Sequence, residues 1–425
     1  MKLQALILGN EKNLGRKIYL WTILSGIAYA ATTLLLTWVV TMVLGEQKSD
    51  SFYFAYTTAQ LFLTVGFYGM RVFQASDMKN AYCFQEYCSS RVISCAIMML
   101  ASVVFVLING YDMEKTILII LVCAYRGFDA VSDVFEALYQ QNGRMDLSGK
   151  SSFFKIAIST IVFILVFLLT KSPVWATLFA LISTILVWLC LDIAIVNEFA
   201  RLQIDLKNKR VRSLLLACLP LCMGNFLCNY IFSASKFAID QQAVTEGIQT
   251  IYNILFMPAS VINLFSGFIF KPMVTSLAMR WGDKKYHSFQ QTLFRLTLAV
   301  GGLTLLAVVA GYFLGTPILG FIYHVDLSSY RWHLSIMIIG GGLSAFSTVL
   351  YYVATIMRCQ KQIMLIYALT AVLALSISGV LVKYWGLMGA ALGYLLLMLF
   401  MTMLFVGLWI WQIKKAYQLE RKDIH

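Results

Sequence analysis

Apolar runs of about 18 residues or more, the length that spans a bilayer as a helix, recur from one end of this chain to the other. Hydrocarbon offers no partner for a backbone N–H or C=O, so such a run must satisfy its own hydrogen bonds. That leaves an α-helix or a strand of a closed barrel, and barrel strands need only about 9–11 residues of alternating polarity. The runs here are longer and mostly apolar all round. Composition agrees: 60% of the 425 residues are hydrophobic and 12% are charged, where a soluble domain carries about 25% charged residues. The expected fold is an all-α integral membrane protein of twelve transmembrane helices. They lie near 17–44, 50–70, 89–109, 116–139, 152–171, 174–196, 212–235, 246–270, 292–314, 331–357, 362–382 and 386–411. An even number of crossings puts both termini in the cytoplasm. A basic stretch from Glu198 to Arg212 follows the sixth helix and divides the chain into two six-helix bundles, 1–205 and 206–425. That is the layout of a duplicated transporter.

The net charge of +13 would suit nucleic acid if it were gathered on one surface. It is sorted by loop instead. When the gaps are read alternately from an inside N-terminus, most Lys and Arg fall on one side, among them Arg71, Arg91, Arg144, Lys150 and Lys155. The other side holds Lys48, Lys115, Lys171, Lys236, Arg331 and Lys383. Such asymmetry follows the positive-inside rule, so the basic balance reflects topology and membrane lipids, and no nucleic-acid partner is expected. The outer loops are short, as in Glu46 to Asp50 and Lys171 to Pro173, and leave little room for an enzyme's catalytic groups. No phosphate-binding Walker A pattern is present, so ATP hydrolysis by this chain is not expected. Cys218 and Cys222 lie one helical turn apart but have no accompanying His or carboxylate, so neither metal nor cofactor is expected.

Within the fourth run, Arg126, Asp129, Asp133, Glu136 and Gln140 are spaced 3, 4, 3 and 4, which puts them on one face of a helix. Each ionised group near the centre of a membrane helix costs about 2.5–3.5 kcal/mol on insertion scales. The stripe must therefore face protein or water. Two readings fit. Arg126 and Asp129 can form a self-satisfying intrahelical pair. Alternatively, Arg126 contacts an anionic cargo, while Asp129, Asp133 and Glu136 exchange a proton or cation. A second stripe, Asn225, Asn229, Ser233, Lys236 and Asp240, runs along the seventh helix. It suits either hydrogen bonding inside a bundle or cargo contact in a cavity between the halves. Arg71, after the second run, can reach a phosphate or extend to lipid headgroups.

Three segments carry a family resemblance. They are Gly69-Met70-Arg71 through Asp77, Ser235-Lys236-Phe237-Ala238-Ile239-Asp240 with Gly247 to Tyr252, and Gly386-Leu387-Met388-Gly389-Ala390-Ala391-Leu392-Gly393. In this order and at these positions the chain resembles the Wzx-type polysaccharide flippases of the multidrug/oligosaccharidyl-lipid/polysaccharide exporter superfamily. The resemblance implies a bacterial cytoplasmic (inner) membrane protein. Its expected cargo is undecaprenyl-diphosphate-linked oligosaccharide, moved from the inner to the outer leaflet for capsule, O-antigen or wall polymer. It further implies alternating access around a cationic cavity, with Arg126 and Lys236 as cavity cations and glycan polymerases or glycosyltransferases as partners. Asn225, Asn229 and Arg71 complete the expected cargo contacts. The three carboxylates of the fourth helix depart from that pattern, because they make its face net negative. A drug/cation antiporter of the same superfamily is the alternative. A major-facilitator sugar carrier fits less well, since the segment after the second run lacks that family's Gly-x-x-x-Asp-Arg-x-Gly-Arg pattern.

Overall fold

A computed structural model describes residues 14–76, 82–206, 208–242, 246–270 and 273–423. Asp77 of the first motif lies outside them. Among the described residues every regular element is helical and there is no strand. In chain order these are α1 (Leu14–Phe67), α2 (Met70–Ser76), α3 (Phe84–Asn109), α4 (Met113–Gln141), α5 (Met145–Thr170) and α6 (Pro173–Trp188). A π-helical turn, Leu189–Ile193, joins α6 to α7 (Ala194–Val196). Then come α8 (Lys209–Gln241), α9 (Ile248–Phe270), α10 (Val274–Gly282), α11 (Tyr286–Ala310), α12 (Thr316–Tyr323), α13 (Arg331–Ile356) and α14 (Gln360–Asp423). Among the described residues eight stretches are long and apolar enough to cross a membrane. The protein is a multi-pass membrane protein.

Two of those stretches are bent at a glycine. In α1 the bend is Gly45, with φ 75° and ψ 174°, a conformation that a Cβ disfavours. The bend folds the helix back on itself. Thr33 Oγ1 lies 3.1 Å from the Tyr56 hydroxyl although 23 residues separate them, whereas a straight helix at about 1.5 Å per residue would hold them roughly 35 Å apart. In α14 the bend is Gly386, φ 53° and ψ −128°, the first glycine of the third motif.

The apolar run that the sequence ends at 314 continues further. It passes through a second π turn, Gly311–Gly315, into α12 and stops at His324, whose left-handed backbone (φ 54°) donates its N–H to the Gly320 carbonyl. Pro317 does not end the helix because it sits in the first turn of α12, where its missing N–H costs little. Pro220 and Pro258 likewise lie inside α8 and α9.

The chain divides into two compact units, Met1–Asn229 and Tyr230–His425. In the first, α4 is the hub: α1, α2, α3, α5 and α6 all pack on it. In the second, α13 holds that place, packed by α9, α11 and α14, around a core that includes Tyr252, Leu255, Phe289, Leu334 and Met337. Apolar side chains also point outward. Leu298, Leu305, Leu306 and Val309 on α11 are each more than half exposed, an arrangement that suits lipid and would be costly in water.

The Gly386 backbone lies where a side chain is strained. Gly386→Ala is expected to cost about 1–3 kcal/mol and to lower the thermal unfolding midpoint in detergent, while the same change at exposed Gly407, within regular helix, does not lower it.

Candidate functional site

The polar stripe of α4 is the centre of an ion-pair network inside the first unit. Its helix starts at Asp112, whose side chain accepts from the Lys115 N–H at 3.2 Å, and the 3-4-3-4 spacing then aligns the ionisable groups. Each carboxylate is met by a cation. Asp129 pairs with Arg126 at 2.6 Å, one turn away on the same helix. Asp133 receives Arg71 from α2 at 2.9 Å and Arg91 from α3 at 2.8 Å. Glu136 receives Arg71 at 2.8 Å and lies 3.5 Å from the Lys155 ammonium of α5. Lys155 also lies 3.7 Å from Asp129. Buried ion pairs persist only where geometry and further hydrogen bonds offset the lost hydration. Such bonds are present: Arg91 donates to the Gly66 carbonyl at 2.6 Å, and Ser152 donates to Glu136.

Arg126, expected as a cavity cation, is enclosed. It is 5% exposed. Besides Asp129, its guanidinium donates to the Tyr29 hydroxyl at 2.7 Å and to Gln60 at 3.1 Å. It also lies over the Tyr29 and Tyr56 rings, at 5.3 and 5.5 Å from their centroids. This is the intrahelical pair of the first reading, enclosed by aromatic groups from α1.

Arg91 and Lys155, which loop counting assigns to the cytoplasmic side, are 2% and 4% exposed and belong to the network. The net-negative face expected from α4 alone is corrected by them: with Arg71 they bring enough positive charge to meet its carboxylates. One more carboxylate joins. Asp192, in the π turn after α6, is fully buried and accepts from Ser151 at 2.7 Å. Single π turns inside helices recur at functional sites. None of these three residues is marked by the stripe of α4, but each has a signal. Arg91 and Asp192 are the lone charges of their apolar runs, and Lys155 lies on a stripe of its own with Ser148, Ser152 and Ser159.

Arg71 is the solvated member, with 37% of its side chain exposed. It lines a cavity of about 310 Å³ together with Thr22, Ser25, Tyr29, Glu136 and Ser152. Its second terminal nitrogen has only a long contact, 3.5 Å to Ser148. The asparagines of α8 do not join the network: Asn225 is exposed, and Asn229 donates to the Asn225 carbonyl at 3.0 Å.

Lys236 belongs to the second unit. Its ammonium lies 4.9 Å from the centroid of the Phe256 ring. Among the described residues no carboxylate pairs with it. Ser235, beside it, donates to the Ala390 carbonyl at 2.9 Å, which ties α8 to the Gly-Ala-Ala segment of α14. Among the described residues no group of His, Cys, Asp and Glu could hold a metal ion.

Solved structures share this architecture. An inward-facing multidrug resistance MATE family transporter of the MOP superfamily superposes with a TM-score of 0.65 at 13% identity, over 98% of this chain and 96% of that one. The lipid II flippase MurJ, in an inward closed conformation, gives 0.69 at 16% identity over 93% and 90%. A MOP superfamily transporter from Pyrococcus furiosus, described as having a binding pocket of reverse polarity, gives 0.58 at 13% over 99% of both chains. This chain has the fold of MOP superfamily transporters. No protein-family model matches the chain, and no curated protein matches its sequence.

Removing Arg91 leaves Asp133 a buried charge with one guanidinium, Arg71, in place of two. Arg91→Ala is therefore expected to destabilise the protein by about 3–5 kcal/mol, read as a large drop in unfolding midpoint. The double change Arg91→Ala/Asp133→Asn should recover part of it, since the under-matched charge is then gone.

Proposed function

We propose that this protein is a flippase that moves undecaprenyl-diphosphate-linked oligosaccharide from the inner to the outer leaflet by alternating access. On this reading the chain crosses the bacterial cytoplasmic membrane twelve times with both termini inside. The observation that carries the reading is Lys236. It is a cation within an apolar helix, set against an aromatic ring and without a carboxylate partner among the described residues. A membrane protein has reason to bear the cost of such a charge when a mobile anion completes the pair. The paired carboxylates support it from the other direction. Asp129, Asp133 and Glu136 are all engaged by Arg or Lys, so the acidic stripe does not offer a cationic drug a free partner.

Arg71 is the second proposed cargo contact, because its solvated guanidinium borders an open cavity and its planar fork suits phosphate oxygens. The likeness to a lipid II flippase fits a lipid-linked cargo. Arg126 is proposed to support the site's shape. Outward passage of about two negative charges would be favoured by an inside-negative potential, by roughly 4–5 kcal/mol at 100 mV. A gradient of charge is thus enough to drive the step.

Reconstituted protein is the test. Lys236→Ala should slow transfer of the lipid-linked oligosaccharide across proteoliposomes roughly 10- to 100-fold, the equivalent of losing a charged hydrogen bond of about 1.5–3 kcal/mol. Lys236→Arg should keep most of the rate. Unchanged transfer by the Ala variant at equal protein levels would remove Lys236 from the mechanism. Dye efflux by the unaltered protein, with no lipid-linked transfer, would replace the flippase by a drug/cation antiporter.

A further inference from the structure

Lys155 stands apart from the other cations of the first unit. Its side chain is buried on α5, and its ammonium is 3.5 Å from Glu136 and 3.7 Å from Asp129. Both separations exceed the 2.7–2.9 Å usual for a charge-assisted hydrogen bond. It is held among carboxylates without being tightly bonded to any one of them. Asp192 faces the same group. The two act on each other electrostatically, and Ser151, one turn before Lys155, donates to its Oδ2. The other oxygen of Asp192 is buried and has no hydrogen-bond partner. A fully buried carboxylate oxygen without a donor is costly, and its surroundings offer a positive charge in place of a donor.

We infer that the Lys155 ammonium is a tethered counter-cation: it fills, permanently, the place that a mobile monovalent cation or a proton would occupy among Asp129, Glu136 and Asp192. The first unit then needs no coupling ion to remain neutral, and the carboxylates of α4 serve the network. Every ionisable group facing the site is accounted for. From α4 come Asp129, Asp133 and Glu136, and from the π turn comes Asp192. Arg71 from α2 and Arg91 from α3 share those carboxylates, as does Arg126. Helix α1 contributes Tyr29 and Tyr56, both on Arg126, and α4 adds Tyr125, its hydroxyl 3.1 Å from Ser159, and Tyr139, which donates to the Asp192 backbone carbonyl at 3.3 Å. With Asp192 counted, the carboxylates and the cations are equal in number, so removing Lys155 leaves one negative charge unmatched. The inference takes its meaning from the transport reading, but its test reads stability, so the two fail separately.

The experiment replaces the ammonium by an apolar group of similar length. Full-length protein and its Lys155→Met variant are melted in detergent across a pH series, in sodium chloride and in choline chloride of equal ionic strength. An unmatched buried carboxylate in the variant holds a proton in the folded state only, so its folded pKa exceeds the unfolded one. The stabilisation is full at low pH and is lost as pH rises through the folded value. The variant's midpoint should therefore fall by roughly 1.5–3 °C per pH unit more steeply than that of the parent. If sodium is the better substitute, the midpoint instead rises in sodium over choline. Lys155→Met/Asp192→Asn, which removes the unmatched charge, should return to the parent's profile. A Lys155→Met variant that follows the parent's dependence on pH and sodium overturns the inference, as does a double variant that keeps the altered profile. Should the single variant not fold, a folded double variant supports the inference, and two unfolded variants reduce Lys155 to packing. A parent protein that itself requires sodium for its midpoint also overturns it.

Discussion

Carboxylates on a helix that lies amid other helices cannot remain ionised unless cations meet them there, and the first unit is arranged around this requirement. Asp133 needs two guanidinium groups, from α2 and α3, and Glu136 needs one guanidinium and the ammonium of α5. For these charges to converge, the short helix α2 must lie along the C-terminal half of α4, and α3 and α5 must flank it. Apolar burial alone is non-directional and would tolerate several rotations of each helix about its axis. Paired charges allow one. The network therefore contributes more to which arrangement forms than to how stable that arrangement is, because the desolvation of each charge offsets most of its attraction.

The same arrangement divides the cations by availability. Arg91, Arg126 and Lys155 are enclosed and matched. Arg71 is matched but reaches an open cavity, and Lys236, in the second unit, has an aromatic ring where the others have carboxylates. An anion is drawn to positive charge that is not already neutralised, so a count of basic residues says little about where cargo binds. A stripe that looks acidic when α4 is taken alone is close to neutral once its neighbours are present. The conflict between an acidic helix and the anionic cargo proposed for this protein is thereby removed.

Much of this is legible in the order of residues. Apolar run length identifies helices, the 3-4-3-4 spacing places Arg126, Asp129, Asp133 and Glu136 on one face, and the intrahelical Arg126–Asp129 pair is one of the two readings that spacing allows. Loop counting treats Arg91 and Lys155 as charges of a connecting segment for a definite reason. Each lies near the end of an apolar run, and counting assigns such residues to the adjoining cytoplasmic segment. The helices in fact begin at Phe84 and Met145, which carries both residues about two turns or more inside. Asp192 stays unmarked because a single carboxylate in a run has no periodicity to reveal it. The helix that continues through Gly311–Gly315 to Tyr323 is cut short in the sequence by the glycines and Pro317, which a π turn accommodates.

By itself, the order of residues determined that the chain forms membrane-spanning helices, where each polar stripe runs, and that Gly386 can take a backbone turn barred to other residues. These are properties of one segment and its solvent, governed by backbone hydrogen bonding in hydrocarbon and by helical period. Only the tertiary structure decided which charges are neutralised. A pairing such as Arg91 with Asp133 joins residues 42 apart, and Arg71 reaches Glu136 across 65. Electrostatic energy depends on distances of a few ångströms in a low dielectric, and those distances are set by how helices pack, which no local spacing contains.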